Sequence, residues 1–225
     1  MEENLKISIL QILKESLRKF KNMEILIVTM TFILVGTFVS TICSAGDNLT
    51  IKEFVFDVLG DFISLIGYMT IIKIVEKKYK KEEVYVKNII KEVIPRSFPA
   101  LVLYLTVVIL TLIGTLLVII PGVLFCIFTA FYLQVFTLDN NGIIDSIGNS
   151  ISFSEGFRGC IFKMSIIEII IYLINDYTIL WLLTYLFNST ISSGVGIIIS
   201  SVITSIMTIG YTSLYLKIRE IKTIE

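Results

Sequence analysis

Histidine is absent from the 225 residues, and cysteine occurs three times, at Cys43, Cys126 and Cys160, with no CxxC spacing. Without imidazoles, and with thiols so far apart, the chain lacks the donor sets that hold zinc or iron, so no metal or other cofactor is expected. A serine nucleophile would also lack a histidine base. Charge is scarce too: 17% of residues are Asp, Glu, Lys or Arg, against about 25% in a soluble domain. Basic and acidic residues balance at 19 each, which leaves no net basic field for nucleic acid. Cys43 follows Ser40-Thr41-Ile42, unlike a lipoprotein cleavage site, and the first apolar segment has no AxA-like exit, so it reads as a retained anchor.

Hydrophobic residues, at 55%, are abundant instead. The stretch 98–138, FPALVLYLTVVILTLIGTLLVIIPGVLFCIFTAFYLQVFTL, carries no charged side chain. A helix crossing the ~30 Å hydrocarbon layer needs about 20 apolar residues, so this run is long enough to cross and return. Pro121-Gly122 is the expected turnaround. Six crossings follow, at about 23–43, 54–72, 98–120, 123–138, 161–187 and 194–216, in one transmembrane domain spanning 1–225. All should be helices, because lipid offers no partners to open backbone groups. With an inside N-terminus, Lys52 alone of the 19 basic residues falls on the outer side, which places both ends in the cytoplasm. Asn175-Asp176 interrupts the fifth segment; one long tilted or kinked helix fits the charge rule better than a break there.

Three inside segments read as amphipathic: LKISILQILKESLRKF, YVKNIIKEVIPRSF and GIIDSIGNSISFSEGF. In the first, Leu5, Ile9, Ile12, Leu13, Leu17 and Phe20 recur at helical spacing. In the last, Ile143, Ile144, Ile147 and Ile151 share one face and Asp145, Ser146, Asn149 and Ser150 the other. The resulting fold class is an all-α integral membrane protein of three hairpins, each preceded by an interfacial helix on the cytoplasmic side.

Carboxylates inside a bilayer cost about 2.5–3.5 kcal/mol on insertion scales and call for an account. Asp57, Gly60, Asp61, Ser64, Gly67 and Tyr68 form one stripe of polar and small residues, with Asp61 about 18 Å of helix from Lys73. Glu168 and Asp176 lie in the fifth crossing. Asp61, Glu168 and Asp176 are a candidate ion or proton site; the alternative is that they are protonated or hydrogen-bonded to neighbouring helices, with Asp176 marking a kink. The paired YD and GxGD patterns of intramembrane aspartyl proteases are missing, and no enzyme activity is expected. Gly196, Ser200, Thr204 and Thr208 form a small-residue ridge suited to internal packing. The basic connection 73–97 is expected to hold topology; the alternative is attraction to anionic lipid heads.

The stretch IIPGVLFCIFTAFYLQVFTLDNNGIIDSIGNSISFSEGFRG resembles a broad bacterial membrane family that includes the YciC-like proteins and the membrane domain attached to some glycerophosphodiester phosphodiesterases. Pro121, Gly122, Gly142, Asp145, Ser150 and Gly156 occupy its motif positions. The resemblance implies a multi-helix protein of the bacterial plasma membrane; the phosphodiesterase domain of the fused members has no counterpart in this sequence. The leading expectation is a non-enzymatic accessory or scaffold component that contacts membrane lipids or another membrane protein, with no nucleic-acid partner. The alternatives are a small transporter or channel using the carboxylates, and an immunity protein against a membrane-active peptide.

Overall fold

A computed structural model describes residues 8–43, 51–179, 181, 185 and 189–224, and among them every element is helical. The amphipathic α1 (Ile9–Phe20) buries Ile9, Ile12 and Ser16, while Leu17 stays exposed; Leu5 lies outside the described residues. Met23–Val28 (α2), a π-helical turn at Thr29–Ile33 and Leu34–Cys43 (α3) make up the first crossing. In the π turn the Thr29 hydroxyl bonds the Ile25 carbonyl at 2.9 Å and lies 3.0 Å from the Ser205 hydroxyl, so the wider turn is held by side-chain oxygen.

Ile51–Tyr79 (α4) and Val86–Leu117 (α5) are each continuous well beyond the crossings predicted at 54–72 and 98–120. The segment expected to be a separate interfacial helix before the third crossing is therefore the first half of α5. Pro95 and Pro99 lie inside it, towards the charged end, where water can complete the carbonyls they leave unpaired.

The turn after α5 corrects the sequence reading. It falls at Val118, whose backbone is extended (φ −156°, ψ 134°), and not at Pro121-Gly122. Pro121 sits in the first turn of Ile119–Phe128 (α6), where an amide hydrogen would have no helical partner. Gly122 serves close approach: a Cβ there would lie 2.7 Å from the Thr115 nitrogen and 2.8 Å from its Cα.

The predicted fourth crossing is broken. Tyr132–Leu138 (α7) follows α6 only after an interruption at 129–131. The following helix, Ile143–Ser154 (α8), covers that break and divides its polar face: Ser146, Ser150 and Ser154 are buried, Asp145 and Asn149 exposed, while Ile143, Ile147 and Ile151 are half-buried and Ile144 is exposed. Gly156, at φ +80°, makes the left-handed turn into Arg158–Leu173 (α9). A second π turn, Ile174–Ile179, carries Asn175-Asp176, so the helix is widened there and not cut. Ser189–Ile224 (α10) closes the bundle.

At the centre, α4 packs against α3, α5, α7 and α10; α10 also meets α1 and α9. Met69, Ile72, Phe131 and Tyr215 are fully buried in the common core. Five helical stretches are long and apolar enough to cross a membrane: Met23–Ser40, Phe54–Tyr79, Val86–Leu117, Ile120–Leu138 and Ser192–Thr223. The remaining predicted crossing, 161–187, runs beyond the described residues, and its described part is helical from Arg158 to Ile179.

One end of the bundle gathers the charge. Lys78 pairs with Glu24 at 2.8 Å, Lys217 with Glu15 at 3.4 Å and Arg219 with Asp139 at 3.0 Å. Tyr79 hydrogen-bonds Glu220, Lys73 pairs with Glu92, and Arg96 bonds Asn140. The start of the first crossing, the basic connection, the end of α7 and the end of α10 therefore share that end.

Candidate intramembrane site

The polar stripe on α4 divides into two adjacent faces. Gly60, Ser64 and Gly67 turn to the first crossing: a Cβ on Gly60 would lie 2.6 Å from the Gly36 carbonyl oxygen, and one on Gly67 would lie 2.9 Å from the Phe32 Cβ. Asp61 and Tyr68 turn the other way. The Tyr104 hydroxyl of α5 hydrogen-bonds the Asp61 carboxylate, and Ser64 bonds the Tyr68 hydroxyl. Tyr132 of α7 is half-buried, within electrostatic reach of Tyr104, Tyr68, Asp61 and Cys126.

Glu168 belongs to the same seam. Its carboxylate accepts the Tyr211 hydroxyl at 2.9 Å, and Ser165 lies 3.0 Å from that hydroxyl. One turn further along α9, Tyr172 bonds Thr204 at 2.7 Å and lies within reach of Tyr68. Cys126, 3.7 Å from the Thr111 hydroxyl, stands between Tyr132 and Tyr211. Tyr104 of α5 thus bonds Asp61 and Tyr211 of α10 bonds Glu168, while Tyr68, Tyr132 and Tyr172 of α4, α7 and α9 lie within electrostatic reach of one or another of these groups. The Glu168 end opens into a cleft of about 380 Å³ lined by Cys126, Ala130, Ser165, Ile169, Tyr172 and Tyr211.

Among the described residues, neither Asp61 nor Glu168 forms an ion pair. A carboxylate held by a tyrosine hydroxyl in a low-dielectric seam can take up a proton or a cation, because no fixed positive charge competes for it. The sequence signal for the tyrosines was their depth: tyrosine normally marks the membrane interface, and these sit inside the crossings. Asp57 lies one turn from Asp61 on α4. Asp176 is in the second π turn, and its side chain lies outside the described residues.

The six motif positions serve architecture. Pro121 and Gly122 shape the α5–α6 hairpin, Gly142 precedes α8 and its carbonyl accepts Ser146 at 2.6 Å, Asp145 is exposed in the first turn of α8, and Gly156 makes the next turn. Ser150 bridges the α6–α7 break: its oxygen accepts the Phe131 amide at 3.0 Å and its hydroxyl reaches the Phe128 carbonyl at 3.2 Å. The ridge on α10 faces inward, where Ser200 accepts the Asn175 amide at 3.1 Å and Thr204 meets Tyr172.

Comparison with protein-family models, with curated proteins and with solved structures finds no match to this chain.

Proposed function

We propose that this is a six-crossing protein of the bacterial plasma membrane, with both ends in the cytoplasm, and that it works as a small transporter of protons or small cations through the seam between Asp61 and Glu168. The observation that carries the reading is that two carboxylates, each held by a tyrosine hydroxyl and neither in an ion pair among the described residues, lie beside further tyrosines of the same bundle. A carboxylate held by a hydroxyl, with no ion pair among the described residues, keeps its capacity to bind a proton or small cation, and the further tyrosine hydroxyls nearby are groups that could relay one. The charge-rich end of the bundle supports the orientation, since Lys and Arg are retained on the cytoplasmic side. The resemblance to the YciC-like family supports the bacterial membrane setting.

The test is flux in proteoliposomes under an imposed proton or alkali-cation gradient. The unaltered protein should conduct, and Asp61→Asn or Glu168→Gln should lower the rate at least tenfold while the protein stays folded. A protein that passes neither protons nor alkali cations would sink the reading. A second reading, an accessory subunit that docks a membrane partner, keeps one observation in its favour: the apolar part of Val86–Leu117 is the least covered among the five long apolar helices. Recovery of a stoichiometric partner together with a flat flux trace would select it.

A further inference from the structure

A second groove runs along the outer faces of α6 and α9, away from the carboxylate seam. It is an open groove of about 420 Å³ lined by Ile120, Val123, Leu124, Ile127 and Phe162, with Gly159 and Arg158 also in its lining. From Ile120 to Phe128 the wall is about 12 Å long at 1.5 Å per residue, close to the ~15 Å of hydrocarbon in one leaflet.

Arg158 brings a different chemistry. The Arg158 guanidinium lies 4.3 Å over the Phe128 ring, a stacking that favours a planar cation there. Among the described residues it forms one ion pair, a long and solvent-exposed one: Glu155 is 3.7 Å away, with 70% of its side chain exposed, so a phosphate could displace it. An apolar groove about one leaflet long, with a planar cation in its lining, matches a molecule that has an acyl chain at one end and a phosphate at the other.

We infer that this groove is a binding site for one anionic phospholipid, with an acyl chain along α6 and its phosphodiester on Arg158. The guanidinium fork supplies two parallel hydrogen bonds to phosphate oxygens, which a zwitterionic headgroup would offset with its own ammonium. The inference does not depend on transport by the carboxylate seam, because the two sites share no lining residue.

Two variants separate charge from space. Arg158→Gln removes the cation and leaves the slot. Gly159→Leu adds bulk to the groove lining and leaves the cation; a Cβ at Gly159 meets no atom within 4 Å, so the backbone there accepts a side chain. Protein reconstituted in phosphatidylglycerol and phosphatidylcholine vesicles at 1:4, then released into mild detergent and weighed by native mass spectrometry, should retain one phosphatidylglycerol. Each variant should retain at least fivefold less, and Arg158→Lys should recover part of the loss. Unchanged retention in Gly159→Leu, or equal retention of the two lipids by the unaltered protein, would overturn the inference. Displacement of the lipid by millimolar inorganic phosphate would do so as well, because it would show an anion site that needs no acyl chain. A Tm in detergent, unchanged in Gly159→Leu, keeps misfolding from imitating the expected loss.

Discussion

Ser150 shows how one hydroxyl can decide local architecture. Where α6 stops and α7 begins, the Phe131 amide and the Phe128 carbonyl have lost their helical partners, and lipid supplies none. A single buried hydroxyl serves both. Ser150→Val keeps the volume close and removes both bonds, so it should lower stability by about 1–3 kcal/mol, the cost of leaving buried polar groups unpaired. A fall in Tm in mild detergent is the measurement; an unchanged Tm would show that the break has another source of support. In the sequence Ser150 stood on the polar face of an amphipathic helix, which says nothing of what that face meets. Amphipathicity reports only polarity, and part of a polar face can be turned towards backbone that needs hydrogen bonds. The carboxylates were legible as individuals, since a charge in an apolar run stands out. Their tyrosine partners were not, because which hydroxyl meets which carboxylate depends on helix rotation.

Helices pack here by backbone contact where glycine permits it. A Cβ at Gly60 would lie 2.6 Å from the Gly36 oxygen and 2.9 Å from the Ser40 nitrogen, both backbone atoms that cannot swing away. Gly60→Ala should therefore push α3 from α4, lowering Tm clearly and disturbing Asp61 on the neighbouring face. Gly148 offers the contrast: it is helical and exposed, and a Cβ there meets nothing within 4 Å. Gly148→Ala should leave stability unchanged or raise it by up to about 1 kcal/mol, through the better helix propensity of alanine. Thermal unfolding of both variants in one detergent checks the pair, and equal effects would contradict the packing account. Element type was readable from apolar length alone. Element ends were not: α4 and α5 run on past the bilayer-sized segments because their charged turns are also good helix formers, and a hydropathy limit is not a helix limit.

The entire bundle sorts its charge. Ion pairs from α2 to α4, from α1 to α10 and from α7 to α10 lie at a common end. If that end is cytoplasmic, a cysteine placed by Glu83→Cys in a background free of native cysteines should react with a membrane-impermeant maleimide only after the cells are permeabilised. Asp47→Cys, in the first outer connection, should react in intact cells. The reverse pattern would invert the topology, and with it the leaflet in which the Arg158 groove meets lipid.

Composition and the length of uncharged runs were enough to establish that this chain forms membrane-sized helices, because the transfer cost of charge and of bare backbone into hydrocarbon leaves no other arrangement for such segments. Five of the six predicted segments fall on helices that meet that requirement. Tertiary structure alone decided that the turn lies at Val118, that α8 turns Ser146, Ser150 and Ser154 inward, and that Asp61 and Glu168 each meet a tyrosine hydroxyl. Those outcomes depend on the rotation and close approach of helices, and many rotations satisfy the same hydropathy until glycine contacts and buried hydroxyls select one.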